Sequence, residues 1–268
     1  MHKEKNEMPK PLILLTNDDG IRAKGLRSLI EMVRPLGRIL VVAPEEGHSG
    51  QSHAITTKNP IRLRKIRDYD ERNEVAVYAC SGTPVDCVKL GMTHLLSDKP
   101  DMVLSGINHG SNASISVVYS GTMAAAQEAA LYGVPSIGFS HVDYSPNADF
   151  APAIAIGRKI VQQVLAEGLG KEICLNVNFP ALSLDEVKGV KFCRQASGTW
   201  TERYDRRVDP HGGEYFWLSG YFNNNEPEAA DTDEWALNNG YAAVVPIQPD
   251  MTGYAELERL RKEWKMES

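Results

Sequence analysis

No run of apolar residues in this chain approaches the ~20 needed to cross a bilayer, and the opening MHKEKNEMPK is polar, without the apolar core of a signal peptide. A cytoplasmic protein with no membrane partner is the expectation. Cysteine is scarce: Cys80, Cys87, Cys174 and Cys193 form no CxxC pair, and three of them lie in or beside apolar runs. Buried reduced thiols are expected there, not a disulfide framework or a thiolate metal site. Positive charge is also short, with 29 Lys and Arg against 35 Asp and Glu and a formal charge of −6. Without a broad basic field, no stable nucleic-acid complex is expected, and any phosphate recognition has to be local. GxSxG, HExxH and GxxxxGKS are all missing, which excludes three common catalytic designs. The loop NDDGIRAKG lacks the GxGxxG spacing of a dinucleotide site, which argues against a dehydrogenase. There is no internal repeat and no low-complexity tract.

What the chain does have is 268 residues with 42% hydrophobic content, enough for a sizeable core. Leu12 to Leu15 form an uninterrupted apolar run, as in a parallel strand covered on both faces. Leu26, Leu29, Ile30 and Val33 then recur at helical spacing until Pro35 and Gly37, and RILVVAP follows as a second strand. HAITT, IRLRKI and VAVYAC read as shorter strands, and Thr83 with Pro84 opens a helix towards His94. DMVLSG, the helix-forming MAAAQEAALYG, VPSIGFS, a helix over 151–165 and ICLNVNF continue the alternation. Such alternation predicts an α/β fold, a doubly wound Rossmann-like and mainly parallel sheet, over residues 11–196 after a flexible N-terminus of residues 1–10.

From about Ser197 aromatic and charged residues mix around an HGG turn, the pattern of a protruding β-hairpin arm. Trp217, Tyr215, Phe216 and Tyr221 would be costly to expose in a monomer, which predicts a partner subunit over residues 197–268. A short helix near 232–239, a strand at YAAVVPI and a charged amphipathic helix complete the chain.

The chemistry concentrates where the first strand ends. Asp18 and Asp19 sit at the carboxyl edge of a buried strand, the ligand-binding edge of open α/β sheets, and Gly20 eases the turn that lets both acids converge. Two carboxylates with no His/Cys cluster suit Mg²⁺ or Mn²⁺ rather than zinc. Ser49 and Asn108, in loops after two other strands, offer neutral oxygens at the same edge. Ser120, Gly121 and Thr122 begin a strongly helical stretch whose free N–H groups attract phosphate. His48 and His109 flank Ser49 and Asn108 as proton donors or substrate contacts. Together these residues describe metal-assisted phosphoryl transfer, with Asp18 and Asp19 as the catalytic acids and Asp19 the favoured general base. Direct attack of water and a transient aspartyl-phosphate both remain open at this point.

TNDDG, SGQSH, SGINHGSN, YSGTMAAAQEAALYGVPSI and TDEWALNNGYAAVVPIQPD occur in series between residues 12 and about 252. In that order they resemble the SurE family, the survival-protein nucleotidases. The resemblance implies hydrolysis of nucleoside 5′- and 3′-monophosphates, with short polyphosphate as an additional or main substrate in some members. It implies one divalent metal ion per subunit on Asp18, Asp19, Ser49 and Asn108, and phosphate contacts from Asn112, Ser120, Gly121 and Thr122. It further implies a homodimer or homotetramer in which arm and C-terminal segment exchange between subunits. Many relatives carry arginine immediately before the serine, where this chain has His48, so a titratable ring replaces a permanent cation. A non-catalytic, metal-dependent nucleotide sensor is the rival from another class.

Overall fold

The structure, a computed structural model, describes residues 10–67, 69, 75–264 and 266. Residues 1–9, most of the expected flexible N-terminus, lie outside the described part. Eleven strands and six α-helices alternate along the described chain: β1 (Leu12–Thr16), α1 (Lys24–Val33), β2 (Arg38–Pro44), β3 (Leu63–Ile66), β4 (Val75–Cys80), α2 (Pro84–Leu90), β5 (Met102–His109), α3 (Gly121–Leu131), β6 (Ser136–His141), α4 (Ala151–Glu167), β7 (Cys174–Phe179), β8 (Val190–Phe192), β9 (Gly198–Val208), β10 (Glu214–Asn224), α5 (Asp233–Asn238), β11 (Ala242–Ile247) and α6 (Tyr254–Glu263). Among these described residues no helix is long and apolar enough to cross a membrane.

Nine strands form one sheet in the order β3-β4-β2-β1-β5-β6-β7-β11-β8. The run from β4 to β7 is parallel, while β3 and β11 join it antiparallel. The unbroken apolar run of β1 is explained by two covered faces: Ile13 and Leu15 enter one core with Leu26, Leu29 and Ala153, and Leu14 enters the other with Val88 and Ala125. Helices α1 and α4 thus lie on one face and α2 and α3 on the opposite one, the doubly wound arrangement the alternation predicts. The expected α1 stripe of Leu26, Leu29, Ile30 and Val33 is buried throughout, and all four cysteines are buried free thiols.

Strand order reverses at β1: the chain proceeds outward through β2, then returns to β5 on β1's other side. That reversal leaves a crevice beyond the carboxyl ends of β1 and β5, where ligands bind in open α/β sheets. Thr16 pairs with Ser105 there, so the acid doublet after Thr16 and the Asn108–His109 end of β5 face the same opening.

One expectation is corrected. HAITT forms no strand: the amide of Thr56 and the carbonyl of Ala54 are taken by Asp86 and Thr83, the capping box that opens α2. The helix from Pro84 holds α geometry only to Leu90 and continues as one π turn over Gly91–Leu95. The arm is the expected hairpin, β9 against β10 in an 11-pair antiparallel ladder. Trp217 and Tyr221 on it are 61% and 62% exposed. In the single chain β11 pairs with its own β7 and so completes the main sheet.

Helix α1 approaches the β5 backbone so closely that a Cβ on Gly25 would lie 1.9 Å from the Ile107 carbonyl oxygen. Gly25→Ala therefore has to push α1 away from the strand that carries Asn108. It should cost about 1–3 kcal/mol in urea unfolding, as overpacked cores do; unchanged stability would show that the contact yields freely.

Candidate active site

Asn17, Asp18 and Asp19 follow β1 without a break, and Gly20 turns the chain with φ +97°, a conformation that favours glycine. Asn17 is fully buried and its Nδ2 donates to the Gly20 carbonyl at 3.0 Å, closing that turn from inside, while its Oδ1 has no partner. Two acids beside each other on extended chain would face apart; the turn is what lets them share one edge.

Asp18 is 3% exposed and rests on the N-terminus of α3. The Thr122 hydroxyl and amide both donate to its carboxylate, and Ser120 caps the helix by accepting from the Met123 amide at 3.0 Å. A Cβ on Gly121 would stand 2.9 Å from Asp18 Cβ, so only glycine permits this seating. Burial pushes the Asp18 carboxyl up from 3.8 to about 6, opposed by the Thr122 hydrogen bond and reinforced by the neighbouring Asp19 charge. The helix terminus that the sequence offers to phosphate therefore already carries a carboxylate. Thr122, fully buried, serves Asp18, and Ser120 is the member of that motif that lines the opening.

Asp19 turns towards β5, where its Oδ2 accepts from the His109 amide at 3.2 Å and lies 3.6 Å from His109 Nδ1. Asn108 donates through Nδ2 to the Gly110 carbonyl at 2.8 Å, which leaves its Oδ1 as the free acceptor. The loop after β2 is drawn in by the His48 amide, which donates to the Asp18 carbonyl at 2.7 Å. Ser49, one residue on, lines the same cleft as Asp18 and Asn108, whereas the His48 ring turns to Gln51 outside it. Asn112 lines the cleft too, held by its amide to Asn178 Oδ1 at 2.8 Å and by its Nδ2 to Ser140 Oγ at 2.7 Å.

The cleft measures about 510 Å³. Among the described residues no cluster of three or more His, Cys, Asp or Glu could hold a metal ion. Any cation would rest on two carboxylates completed by an amide oxygen and a hydroxyl, all hard oxygen donors. The open Asp18 oxygen, the freed Asn108 Oδ1 and the Ser49 hydroxyl fit that requirement.

Sequence reasoning passes over the residues that hold these loops. Glu128 on α3 is buried and binds Lys89 on one oxygen and His53 Nε2 at 2.8 Å on the other; Ser52 Oγ donates to the Val118 carbonyl at 2.7 Å. These ties fasten the loop that carries Ser49. Asp233, fully buried, accepts from the amides of Ser114, Ala196 and Glu234, each at 2.9 Å, and so joins the 110–119 segment to the root of the arm. Also unforeseen is the aromatic wall of the cleft, where Tyr119, Tyr144, Trp200, Glu202 and Leu218 stand. An aromatic at the start of a strand carries no signal of its own; only the position of the arm reveals it.

The family model described as Survival protein SurE matches residues 13–202. The chain is 52% identical to the 5′-nucleotidase SurE of Cytophaga hutchinsonii, over 96% of its own length and 98% of that protein's. It is 51% identical to the 5′-nucleotidase SurE of Flavobacterium psychrophilum, over 94% and 97%. The crystal structure of the SurE protein from Aquifex aeolicus superposes with a TM-score of 0.80 at 38% identity, covering 94% of this chain and 99% of that one.

Removing the Glu128 carboxylate frees His53 and leaves Lys89 without its partner. Because Lys89 and His53 are each about one-third exposed, Glu128→Ala should cost only about 1 kcal/mol of global stability. Hydrogen exchange should nonetheless speed up selectively over residues 49–54; uniform exchange across the chain would refute the clamp.

Proposed function

The chain belongs to the SurE family, and from that membership and the composition of the cleft we propose that it is a phosphomonoesterase releasing phosphate from nucleoside 5′-monophosphates, and from 3′-monophosphates, with one Mg²⁺ or Mn²⁺ per subunit. One observation supports the reading: a desolvated aspartate and two neutral oxygen donors, from the ends of three separate elements, line one cleft at the reversal of strand order, and a second carboxylate, Asp19, stands next to Asp18 in the chain and is tied to the His109 amide. Nucleotidase SurE proteins that match nearly the whole chain at about half identity support the substrate class.

Asp18, Asp19, Ser49 and Asn108 are the residues that would hold the ion. When bound, such an ion neutralises phosphoryl charge and lowers the pKa of water. The chain's own groups do the remaining work. Thr122 fixes one Asp18 oxygen and leaves the other to the cleft. Asp19, more open than Asp18, is the general base, oriented by the His109 amide. Asn112 has a second Nδ2 hydrogen for a phosphate oxygen, and the Ser120 hydroxyl at the N-cap of α3 supplies a further donor. His109 lines the cleft and is the residue to protonate a leaving alkoxide. The reading includes a cytoplasmic homodimer or homotetramer, supported by the exposed Trp217, Phe216 and Tyr221 of the arm, which a second copy would cover.

Asp18→Asn should abolish phosphate release from AMP while leaving circular dichroism unchanged. Its thermal midpoint in EDTA should match or exceed that of the parent above pH 6, because a desolvated charge has been removed; turnover near the parent rate would refute the assignment. The elevated Asp18 pKa also has a definite sign. Between 3.8 and about 6 the folded, metal-free chain holds a proton that the unfolded chain has lost, so Asp18's contribution to stability falls as pH rises through that window and stays lost above it. A cation that binds the ionised pair restores it. Calorimetric Mn²⁺ affinity should consequently weaken about tenfold per pH unit below about 6 and level off above it; an affinity flat from pH 5 to 7.5 would remove Asp18 from the ligand set.

A further inference from the structure

The cleft is chemically divided. Asp18, Asn108 and Ser120 line it with polar groups, whereas Tyr119, Tyr144, Trp200 and Leu218 line it with exposed aromatic and apolar side chains around one carboxylate, Glu202. Phosphate chemistry accounts only for the polar part.

Trp200 and Glu202 alternate along β9 and so share one face of the arm, across the ladder from Phe222 and Gly220. Gly220 leaves a gap opposite Glu202, and a Cβ there would stand 2.4 Å from the Thr201 carbonyl oxygen. The Trp200 indole is fixed rather than loose. Its Nε1–H reaches Ser116 Oγ at 3.4 Å, and its ring packs edge-on against Phe222 at 5.9 Å. Asp233 binds the amides of Ser114 and Ala196, so the root of the arm and the segment carrying Ser116 and Tyr119 are held as one unit. Tyr144 is seated so closely on Gly110 that a Cβ at that position would meet its ring at 2.3 Å. Trp200, Tyr119 and Tyr144 nevertheless remain 39%, 50% and 70% exposed. Rigid aromatic faces left open in the same cleft as these polar groups suit a flat, apolar ring covalently linked to a phosphate. Glu202 adds a second constraint. Its carboxylate accepts hydrogen bonds and repels anions, so the aromatic part disfavours a continuing phosphate chain and favours the N–H and O–H groups of a neutral nucleoside.

Resting on the phosphomonoesterase reading for the polar part, we propose that the aromatic part is a nucleobase subsite in which the base stacks on Trp200, making Trp200 a specificity-determining residue. Affinity for the base then comes from the arm, and chemistry from the sheet edge.

The test compares 5′-AMP with ribose 5-phosphate, which lacks only the base, in the full-length protein, Trp200→Ala and Trp200→Phe. Trp200→Ala should raise KM for AMP about tenfold, with kcat little changed, as loss of one stacking contact does. It should leave kcat/KM for ribose 5-phosphate unaltered, and Trp200→Phe should retain most of the preference for AMP. Equal losses on both substrates would mean that Trp200 only supports the arm, and no loss on AMP would mean that the base binds elsewhere; either overturns the proposal. A readout without turnover covers the case of a poorly folded alanine variant. In the ¹⁵N-tryptophan spectrum of the full-length protein, adenosine but not ribose should shift the Trp200 indole resonance, identified by its absence in Trp200→Phe. No shift overturns the subsite. A clear shift in a protein that hydrolyses no phosphomonoester would overturn the phosphatase reading and leave the subsite standing.

Discussion

Everything at the sheet edge depends on how one buried carboxylate is tolerated. Asp18 ends a strand with apolar cover on both faces, and ionisation there is costly enough to raise its pKa to about 6. The compensation is local and specific: the Thr122 hydroxyl and amide, at the dipolar end of α3, point at the carboxylate. Satisfying that aspartate seats the N-terminus of α3 on the turn that follows β1, which in turn requires a glycine at 121. A carboxylate held in this way has one oxygen committed and one uncommitted. It is stable enough to be built and leaves one oxygen without a partner.

Topology multiplies the effect. Because β2 and β5 flank β1 on opposite sides, loops distant in the chain end at the same crevice. Each is then fixed by polar ties that touch no substrate. Asp86 and Thr83 take the backbone of 54–56, Glu128 takes His53, and Asn178 takes the Asn112 amide. Asp233 joins the arm root to the segment before α3. Buried carboxylates that bind backbone amides suit this purpose, since each sets several loop positions at once and is poorly replaced by an apolar contact. The same requirement explains why 53–57, β-like in composition, is not a strand: its hydrogen-bonding groups are already spent on the cap of α2.

Membership of the SurE family and the physical reading of the cleft speak to different things. The family relation bears on the class of reaction. The geometry bears on which side chains share the cleft and on what lines it beside them: an arm whose root contributes to its own cleft while its outer length exposes Trp217 and Tyr221. One hairpin thus serves two surfaces, since alternate residues of a strand face opposite sides.

By itself the sequence determined the layers of the fold and the sheet edge at which Asp18, Ser49 and Asn108 gather. The apolar run of β1, the helical stripe of α1 and the placement of Asp18, Asp19 and Gly20 are local patterns whose periods and turn residues follow from backbone geometry. The hairpin arm was legible for the same reason, as was the placing of Ser49 and Asn108 at the edge that carries Asp18. Tertiary structure alone decided which hydroxyl serves which charge. Thr122 reads as a phosphate donor in the chain and is an Asp18 ligand in the fold, because partners 104 residues apart leave no trace in spacing. Neither the His53–Glu128–Lys89 clamp nor the Trp200 wall could be foreseen, since burial and long-range contact are properties of packed elements and not of the order in which their residues occur.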